Sequence, residues 1–557
     1  MPNRLPRSLV LAGVPLATAF CIWGCSSSGG SGGTGGSVTS AGSGGRAQGG
    51  SPNTAGTTAI GGSLISGGSS SGGSPATAGG NAAGTGTGGA GAGGPSAGAG
   101  GAGTGTGGAP TEVTVQLTQT HQTIDGFGIN DTFATSAWTA TIADHLFKTD
   151  GNGIGLTLLR VGMNSSGNLV DSNVQSADMK LAKDRGAKVI GSTWSPPANC
   201  KTNNSEKDGG HVKPSCYESW GDTIAKFAGD NALYAMSIGN EPDFASCGDA
   251  EPCNGSYETT LYTAKELVAF AKVAGPKLKA KGVKAIIGEA SEWIHAWSNE
   301  SAKGSVPSNK NSSDPLKCGF PPSNPACDQG DGYDYGHWLA KDPDAWAAVD
   351  IFGVHEYDTQ RAEPWPSDIP TRKPVWQTEM SGVKWWPEQG NGSGSSLTGS
   401  KTIENGVAVA GWIHSALVVG DAAAWFWWFY RAYYTDDNEG LYNKNGDDTK
   451  RHYTFGNYSK FVRPGYVRVD VAGPIPTDVL LSAYKGDDGT VVVVAINKGK
   501  AAASVPITVA GGTAPAMMTP WVTSATDDLK SKTAFAVAAG KFTAELGATS
   551  VTTFVGK

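Results

Sequence analysis

Charged residues are scarce in this sequence of 557 residues, where Asp, Glu, Lys and Arg make up only 16% of the total. The 42 basic and 49 acidic groups leave a formal net charge of −7, and no long basic run is present. Proteins that bind nucleic acid or an anionic membrane surface normally carry a basic patch. The composition therefore argues against both kinds of partner and favours a neutral one.

The patterns of metal-binding proteins and serine hydrolases are also missing. No Cys-x-x-Cys pair and no histidine at ligand spacing supports a zinc site. The segment His355-Glu356-Tyr357 lacks the second histidine of a zinc-binding helix, and no nucleophile-elbow segment occurs in the part of the chain expected to fold. We therefore expect neither a metal ion nor a cofactor.

Glycine, in contrast, is abundant and unevenly distributed. The chain has 82 glycines, roughly twice the ordinary usage, and the excess lies in residues 26–110 among Ser, Ala and Thr. This stretch has almost no charge and no apolar periodicity, so burial cannot offset the loss of conformational entropy on folding. We predict a disordered linker over residues 26–110 and a folded part over residues 111–557.

The first 25 residues are predicted to be an export signal. Arg4 and Arg7 precede an apolar run at 9–22 that is too short for a membrane-spanning helix. The tetrad Ile22-Trp23-Gly24-Cys25 resembles a bacterial lipobox, whose cysteine carries a lipid after cleavage. We predict lipidation of Cys25 and a lipoprotein of the cell surface or outer membrane, attached to the membrane only through this anchor. Ordinary secretory cleavage within the following Gly/Ser run is the alternative.

Eight strand-like apolar runs, several of them separated by amphipathic helical stretches, follow position 122. The runs occupy residues 126–129, 155–163, 187–194, 233–240, 285–289, 349–355, 374–379 and 422–430, and the helical candidates are 176–185, 217–228, 260–281 and 402–419. Near-continuous apolar strands that alternate with helices are typical of parallel strands covered on both sides. We predict an α/β fold, a (β/α)₈ TIM barrel over residues 111–456, with its active site at the C-terminal ends of the strands.

After position 456 the pattern changes to short strands separated by Gly, Asp and Asn turns. These strands are predicted at residues 467–470, 479–484, 490–497, 504–509, 533–537, 543–546 and 551–555. Such spacing is typical of an antiparallel β-sandwich. We predict a C-terminal side domain over residues 457–557, which the early run at 112–117 completes.

Six cysteines lie in the folded part, and they fall into three sequence-local pairs. They are Cys200, Cys216, Cys247, Cys253, Cys318 and Cys327. Of the fifteen possible connectivities, local pairing costs the least loop-closure entropy. We predict three disulfides formed by these local pairs.

Two glutamates follow strand-like runs that face each other across the predicted barrel. Glu241 ends the fourth run in Asn240-Glu241-Pro242-Asp243, and Glu379 ends the seventh in Trp376-Gln377-Thr378-Glu379. Two carboxyl groups about 5 to 5.5 Å apart can hydrolyse a glycoside with retention of configuration. We predict that both glutamates are catalytic and that Asn240 hydrogen-bonds a sugar hydroxyl. Each segment alone is equally compatible with a turn, a helix start or a buried structural glutamate.

Other residues near the strand ends have two interpretations each. Arg160 either orients a catalytic carboxylate or forms an interior salt bridge. Trp194 either stacks on a sugar ring or packs in the core. His355 and Tyr357 either hydrogen-bond the nucleophile or fill the core. The segment at the last strand-like run contains more aromatic residues than core packing requires, although burial of a strand explains every second one. They are Trp425, Trp427, Trp428, Tyr430, Tyr433 and Tyr434.

Six segments, in this order, resemble glycoside hydrolase family 30. They are Gly126-Phe127-Gly128, Leu159-Arg160-Val161, Trp194-Ser195-Pro196-Pro197 followed by Lys201-Thr202-Asn203, Asn240-Glu241-Pro242-Asp243, Trp376-Gln377-Thr378-Glu379, and Ser459-Lys460-Phe461-Val462-Arg463-Pro464-Gly465. The resemblance covers residues 111–557. It implies a barrel joined to a side β-sandwich built from both termini. It also implies retaining chemistry with Glu241 as the acid/base and Glu379 as the nucleophile.

Within that family, Trp427-Trp428-Phe429-Tyr430-Arg431 is most similar to the segment found in bacterial xylanases that cut glucuronoxylan. Those enzymes usually carry two successive arginines after the eighth strand, whereas Ala432 follows Arg431 here. A guanidinium must sit at a fixed place to bind a carboxylate in a fork, so this departure from the family pattern argues against dependence on glucuronate, while xylan remains the expected substrate. Trp428, Arg431 and Tyr434 are the candidate substrate contacts.

We therefore expect a monomeric, retaining endo-β-1,4-xylanase with a polysaccharide substrate. The same fold acting on a β-1,6-glucan or β-1,6-galactan is one alternative, because the two glutamates determine the reaction and not the sugar. A catalytically silent carbohydrate-binding protein of the cell surface is the other alternative, and the presence of both glutamates and Asn240 counts against it.

Overall fold

Residues 112–134, 136–207, 209–244, 257–299, 329–357, 362–381, 402–431, 440–443 and 445–557 are described by the computed structural model. The predicted signal and linker, with Cys25, lie outside these ranges, as do Cys247, Cys253, Cys318, Cys327, Ala432 and Tyr434. Within the described ranges, every helix is too short or too polar to cross a membrane.

Eight parallel strands form a closed barrel. After strand β1 (Val113–Thr123), the barrel strands are β2 (Gly126–Asn130), β3 (Leu158–Met163), β4 (Lys188–Thr193), β5 (Ala235–Ser237), β6 (Lys284–Ala290), β7 (Ile351–His355), β8 (Val375–Glu379) and β9 (Ala422–Arg431). Strand β9 pairs in parallel with both β8 and β2, which closes the ring, and the short strand β10 (Gly440–Tyr442) extends beyond β9. The predicted barrel is confirmed.

Helices cover the outside of the barrel. They are α1 (Ala140–Phe147), α2 (Ser172–Lys183), α3 (Tyr217–Asp230), α4 (Ala264–Ala280), α5 (Tyr335–Lys341), α6 (Pro343–Ala348), α7 (Ile403–Val418) and α8 (Lys450–Ser459). Helix α2 begins four residues before its predicted start, because the Asp171 side chain accepts a hydrogen bond from the Val174 amide and caps the helix. Helix α4 begins after Thr263, which forms a capping box with Glu266.

The fourth barrel strand is shorter than its apolar run suggests. The prediction of a strand over residues 233–240 was wrong at both ends, since β5 covers only Ala235–Ser237. Beyond Ser237 the chain turns, and Glu241 adopts a left-handed backbone conformation with φ of 43°. Apolar character marks burial in such a segment and does not by itself mark strand pairing.

The second sheet contains β1 and nine strands from the C-terminal part of the chain. These are β11 (Val467–Ala472), β12 (Val479–Lys485), β13 (Val491–Asn497), β14 (Ala503–Ala510), β15 (Met517–Thr523), β16 (Lys530–Ser531), β17 (Phe535–Ala536), β18 (Lys541–Leu546) and β19 (Ser550–Gly556). The order is β16-β15-β19-β13-β12-β11-β1-β14-β18, with β17 on β15. The sheet curls into a sandwich, as predicted, and β1 completes it between β11 and β14. Strand β15 was not predicted, because Pro520 interrupts its pattern.

Strand β13 is buried on both faces, which explains its unbroken apolar sequence. Val491, Val493 and Ala495 belong to the core of the sandwich. Val492, Val494 and Ile496 belong instead to the large core that includes the barrel helices. Because side chains alternate between the two faces of a strand, this one strand joins the sandwich to the barrel.

Helix α8 and strand β1 also hold the two parts together. The side chain of Asn457 donates from Nδ2 to Trp521 O and to Thr553 Oγ1, both at 3.0 Å. From β1, Gln122 Nε2 donates to Leu417 O at 2.6 Å and to Ala422 O at 3.0 Å. The predicted boundary between residues 456 and 457 therefore falls inside a helix that contacts both parts.

Candidate active site

A buried arginine lies at the centre of a polar layer near the C-terminal ends of the barrel strands. Arg160, on β3, has no exposed surface. Its Nη1 donates to Glu379 Oε2 at 2.5 Å, and its Nη2 lies 2.6 Å from Asn240 Oδ1 and 3.3 Å from Glu289 Oε2. Arg160 thus orients a carboxylate and forms interior salt bridges at once, so that both interpretations made from the sequence apply.

Glu379 ends β8 and is only 5% exposed. The hydroxyl of Tyr357 donates to its Oε1 at 2.8 Å, which agrees with one of the two interpretations made from the sequence. Burial raises the pKa of Glu379 above its ordinary value, although His355 and Arg160 act to lower it. Burial, helped by the charges of Glu379 and Glu241, raises the pKa of Tyr357 well above its ordinary value. Tyr357 therefore keeps its proton and remains a donor to the carboxylate.

Glu241 lies in the turn after β5, where its side chain reaches the same space. Its amide donates to Glu289 O at 3.0 Å, and its Oε1 is 3.1 Å from His355 Nδ1. The sequence suggested that His355 would contact the nucleophile, but the structure places it against Glu241 instead. In the pairing of β7 with β8 the register shifts after Val354, so that the Cα partner of His355 is Glu379, while its Nδ1 atom contacts Glu241. Burial lowers the pKa of His355, so its imidazole is neutral near pH 7.

The two predicted catalytic carboxyls lie close together. One oxygen of Glu241, one oxygen of Glu379 and one ring nitrogen of His355 all lie within 4.8 Å of one another. Such a trio could also ligate a metal ion, but both oxygens of Glu379 already accept hydrogen bonds from Arg160 and Tyr357. An approach of one oxygen of each carboxyl to within 4.8 Å is compatible with the roughly 5 to 5.5 Å between the carboxyl groups of retaining glycosidases. The arrangement can therefore place an acid and a nucleophile on one sugar.

Glu289 is a buried member of this layer that sequence reasoning missed. It lies on β6 with φ of 50° and has no exposed surface. Besides Arg160, Ser192 Oγ donates to its Oε2 at 2.8 Å. Burial acts to raise the pKa of Glu289, but Arg160 and His355 outweigh it, so the pKa is lowered and the group is ionised. Its position at a strand end was the same signal that pointed to Glu241 and Glu379.

Two tryptophans line the mouth in different ways. Trp194 is 3% exposed, and the guanidinium carbon of Arg160 lies 5.1 Å from its ring centroid. Trp428 is half-buried, and its ring centroid lies 6.4 Å from those of Trp194 and Phe133. Trp194 therefore packs mainly against protein, whereas Trp428 keeps a larger part of its ring exposed. Trp425 and Trp427 are fully buried, as the alternation of a buried strand requires.

Arg431 and Tyr257 lie at the edge of the described part of the site. Arg431 is the last residue of β9, opposite Tyr442 of β10, and is half-buried. Burial, together with the charges of Glu241 and Glu379, raises the pKa of Tyr257 well above its ordinary value. The charges of both carboxyls thus act on the Tyr257 hydroxyl. The sequence offered no signal for it, because it does not follow a strand.

One predicted disulfide lies in the loop between β4 and α3. Cys200 and Cys216 are bonded, with their Cα atoms 5.7 Å apart. This confirms local pairing for the first of the three predicted pairs. The bridge closes the loop that follows Trp194-Ser195-Pro196-Pro197, so it restrains one wall of the mouth. The other two pairs lie outside the described residues and stay predictions.

A closed (β/α)₈ barrel with an attached β-sandwich and two neighbouring carboxyls at its mouth defines a class of glycoside hydrolases. Residues 465–554 match the model of the glycosyl hydrolase family 30 beta sandwich domain. The chain is 30% identical over 460 residues to glucuronoxylanase XynC of Bacillus subtilis strain 168, covering 80% of this chain and 92% of that protein. The chain belongs to glycosyl hydrolase family 30 and is an O-glycoside hydrolase.

Solved structures show the same architecture. A family 30 subfamily 8 xylanase, Xyn30A of Clostridium acetobutylicum, superposes with a TM-score of 0.61 at 28% identity, covering 80% of this chain and 99% of that one. An endo-β-1,6-glucanase superposes with a TM-score of 0.54 at 16% identity, covering 80% and 94%. The second likeness concerns the fold alone.

Proposed function

We propose that this protein is a retaining endo-β-1,4-xylanase in which Glu379 is the nucleophile and Glu241 the acid/base. The observation that carries the mechanism is that one oxygen of each carboxyl lies within 4.8 Å of the other, which is compatible with the spacing that retention requires. The two carboxyls have different partners. Arg160 and Tyr357 donate to Glu379, and these bonds oppose the rise in its pKa that burial causes, whereas Glu241 contacts the neutral imidazole of His355.

The reaction proceeds in two displacements. The Glu379 carboxylate attacks the anomeric carbon while the bond from that carbon to the leaving oxygen breaks, and the Glu241 carboxylic acid gives its proton to that oxygen. Water then attacks the anomeric carbon, Glu241 takes the proton of the water, and the bond between the sugar and Glu379 breaks. Asn240, held by Arg160 at 2.6 Å, lies beside the acid/base, where its amide nitrogen can donate to a sugar hydroxyl.

The assignment of xylan rests on the xylanase names of the relatives that cover most of the chain. Trp428 offers a partly exposed ring on which a xylose unit can stack, since sugar C–H groups pack on aromatic faces. Arg431 is the one arginine retained where the related xylanases usually have two. We propose that the enzyme accepts the glucuronate branch without requiring it.

A β-1,6-glucan is the second candidate substrate, because an endo-β-1,6-glucanase has the same fold. The two catalytic groups would act alike on either polymer, and loop contacts would select the sugar. A silent binding protein is less compatible with the site, because its carboxyls are buried, paired and close together at the cost of desolvation.

The test is a product profile of the full-length protein on glucuronoxylan, linear xylan, β-1,6-glucan and β-1,6-galactan. We expect ladders of oligosaccharides from both xylans, with the β-anomer formed first in NMR spectra of the products. Cleavage of glucuronoxylan alone would mean that the acidic branch is required. Release from a β-1,6 polymer alone would keep the mechanism and replace the substrate.

We further propose that the protein is exported and anchored through lipid on Cys25. The support is the basic, apolar and Cys-terminated pattern of residues 1–25. Expression of the full chain and of Cys25→Ser in a bacterium that processes lipoproteins tests this. We expect incorporation of labelled fatty acid into the first and not the second, and equal labelling would reject the anchor at Cys25.

A further inference from the structure

Asp243, the last residue of the Asn240-Glu241-Pro242-Asp243 segment, has no part in the mechanism above, yet its side chain is completely buried. Its Oδ1 accepts from the Ser291 amide at 2.8 Å. Its Oδ2 accepts from Ser291 Oγ at 2.9 Å and from His295 Nδ1 at 2.6 Å. Burial acts to raise the pKa of Asp243, but the bonds from His295 and Ser291 outweigh it and the pKa is lowered. A buried carboxylate with three donors is a strong local restraint.

This restraint joins two turns that have unfavourable backbone conformations. Glu241 and Glu289 have φ of 43° and 50°, a left-handed region that is unfavourable for residues other than glycine. The Glu241 amide donates a backbone hydrogen bond to Glu289 O at 3.0 Å. Asp243 lies two residues after the first turn, and Ser291 lies two residues after the second. The Asp243–Ser291 bonds therefore hold both turns together from the far side.

The partners of Asp243 are themselves held in place. The ring of His295 stacks on Tyr333, with centroids 3.8 Å apart. Because a carboxylate only accepts, His295 Nδ1 carries the hydrogen that lies between the two groups. The next carbonyl of the turn, Pro242 O, accepts from the Tyr262 amide at 2.9 Å. Together with the bond from the Glu241 amide to Glu289 O, these contacts restrain the turn at three consecutive residues, Glu241, Pro242 and Asp243.

We propose that Asp243, with Ser291 and His295, is a positioning unit that holds the Glu241 carboxyl where it can protonate the leaving oxygen. The proposal rests on the proposed role of Glu241 as acid/base. Loss of a residue that merely stabilises the barrel should affect both steps alike. Loss of Asp243 should instead damage proton donation and leave attack by Glu379 nearly unchanged. A misplacement of about 1 Å can cost roughly 100-fold in rate.

The experiment uses two substrates in the full-length protein and measures kcat/KM, which reports the first displacement. Xylohexaose has a poor leaving group that needs a proton, whereas 2,4-dinitrophenyl xylobioside has a good one that does not. For Asp243→Asn we expect kcat/KM to fall by about 10- to 100-fold on xylohexaose and by less than about threefold on the aryl glycoside. Equal losses on both substrates would overturn the positioning role.

Two further variants separate the possible failures. Glu241→Gln must show the same split with a larger loss on xylohexaose; without that split the proposed function itself fails. If Glu241→Gln shows it and Asp243→Asn does not, only the positioning proposal fails. Should Asp243→Asn not fold, Ser291→Ala removes one of the three donors and keeps the amide. We expect it to show the same split at about two- to fivefold, and an absent split would overturn the proposal.

Asp421→Asn is the matched control. Asp421 is an aspartate whose own backbone is left-handed, with φ of 49°, and it pairs with Arg372 at 2.7 Å and with Arg468. It lies just before β9, at the opposite end of the barrel from the carboxyls. We expect a lower melting temperature and the same kcat/KM ratio between the two substrates as the unmodified protein. A changed ratio in this control would mean that the split does not report positioning.

Discussion

The two ends of the barrel interior are built by the same strands and have opposite chemistry. Near the N-terminal ends, Leu158, Ile190 and their neighbours on the other strands form an apolar layer. Two residues further along the same strands, Arg160 and Ser192 belong to the polar layer around Glu289. Because alternate residues of a strand point to the same side, a step of two residues separates a layer that fills the barrel from one that holds the chemistry.

The two layers differ in what they contribute. Burial of Leu158 and Ile190 removes apolar surface from water and stabilises the fold directly. Burial of Arg160 and two carboxylates costs desolvation that their attraction offsets only partly. The polar layer is therefore expected to hold its members in fixed positions at little net gain in stability. Three predictions test this contrast, from the largest expected effect to the smallest.

Glu379→Gln should abolish turnover while the protein stays folded. The amide has nearly the same shape but cannot attack the anomeric carbon, so we expect kcat on xylan to fall by at least about 10⁴-fold. Circular dichroism and the melting temperature should change little. Glu404→Gln, at an exposed position on α7, is the matched control and should keep full activity. Retained activity in Glu379→Gln would refute its role as nucleophile.

Substitutions in the two layers should lower stability by similar amounts but differ in their effect on activity. Arg160→Met leaves Glu289 and Glu379 without their buried counter-charge, at a cost of about 3–5 kcal/mol and with loss of activity at neutral pH. Leu158→Ala leaves a cavity at a cost of about 2–5 kcal/mol, with kcat within about threefold of the unmodified enzyme. Urea unfolding and xylan assays measure both. If Leu158→Ala lost activity at the same stability, the separation between the layers would be wrong.

Glu356 lies next to His355 but packs against the outer side of the barrel. It shows how burial changes the pKa of a carboxyl that is not paired with an arginine in the described part of the chain. It is fully buried, Trp425 Nε1 donates to its Oε2 at 3.0 Å, and burial raises its pKa to about 8. Its protonated form is favoured in the folded state, so its contribution to stability is complete below about pH 4.5 and declines as the pH rises through about 8.

As the pH rises from 5 to 9, the free energy of unfolding should therefore fall less in Glu356→Gln than in the unmodified protein. The difference between the two falls should be on the order of 1–3 kcal/mol. The melting temperatures of both proteins across this range provide the measurement. Burial also raises the pKa values of Asp131 and Asp178. Both proteins should therefore lose some stability over this pH range for the same reason. Parallel curves for the two proteins would show that Glu356 is not protonated in the folded state.

Much of the architecture could be predicted, because burial leaves a strong pattern in the sequence. The eight parallel strands, the late antiparallel sheet and the early strand β1 were all recognised from apolar runs. The wrong predictions concern segments that are buried but do not pair as strands along their whole length, as around β5. They also concern a strand that a proline interrupts, as at Pro520 in β15. The cysteine pair Cys200–Cys216 followed from short loop closure alone.

The site was predicted less completely. Glu241 and Glu379 could be proposed, because a polar residue directly after an apolar strand is conspicuous. The partner of His355 could not be predicted, since the contact joins its ring to Glu241, 114 positions away in the chain. Glu289 and Tyr257 were missed. The first has a strand-end position that was not considered, and the second enters the site from a loop.

The sequence by itself determined which residues are buried, because the alternation of apolar and polar side chains is a local property of the chain. It also determined that one carboxyl ends the seventh barrel strand and that another follows the fourth. Only the tertiary structure decided which carboxyl faces Arg160 and Tyr357, which one faces His355, and that Asp243 binds Ser291 and His295. Those contacts join residues up to 219 positions apart, and they depend on barrel closure, strand register and turns with positive φ, none of which a local pattern contains.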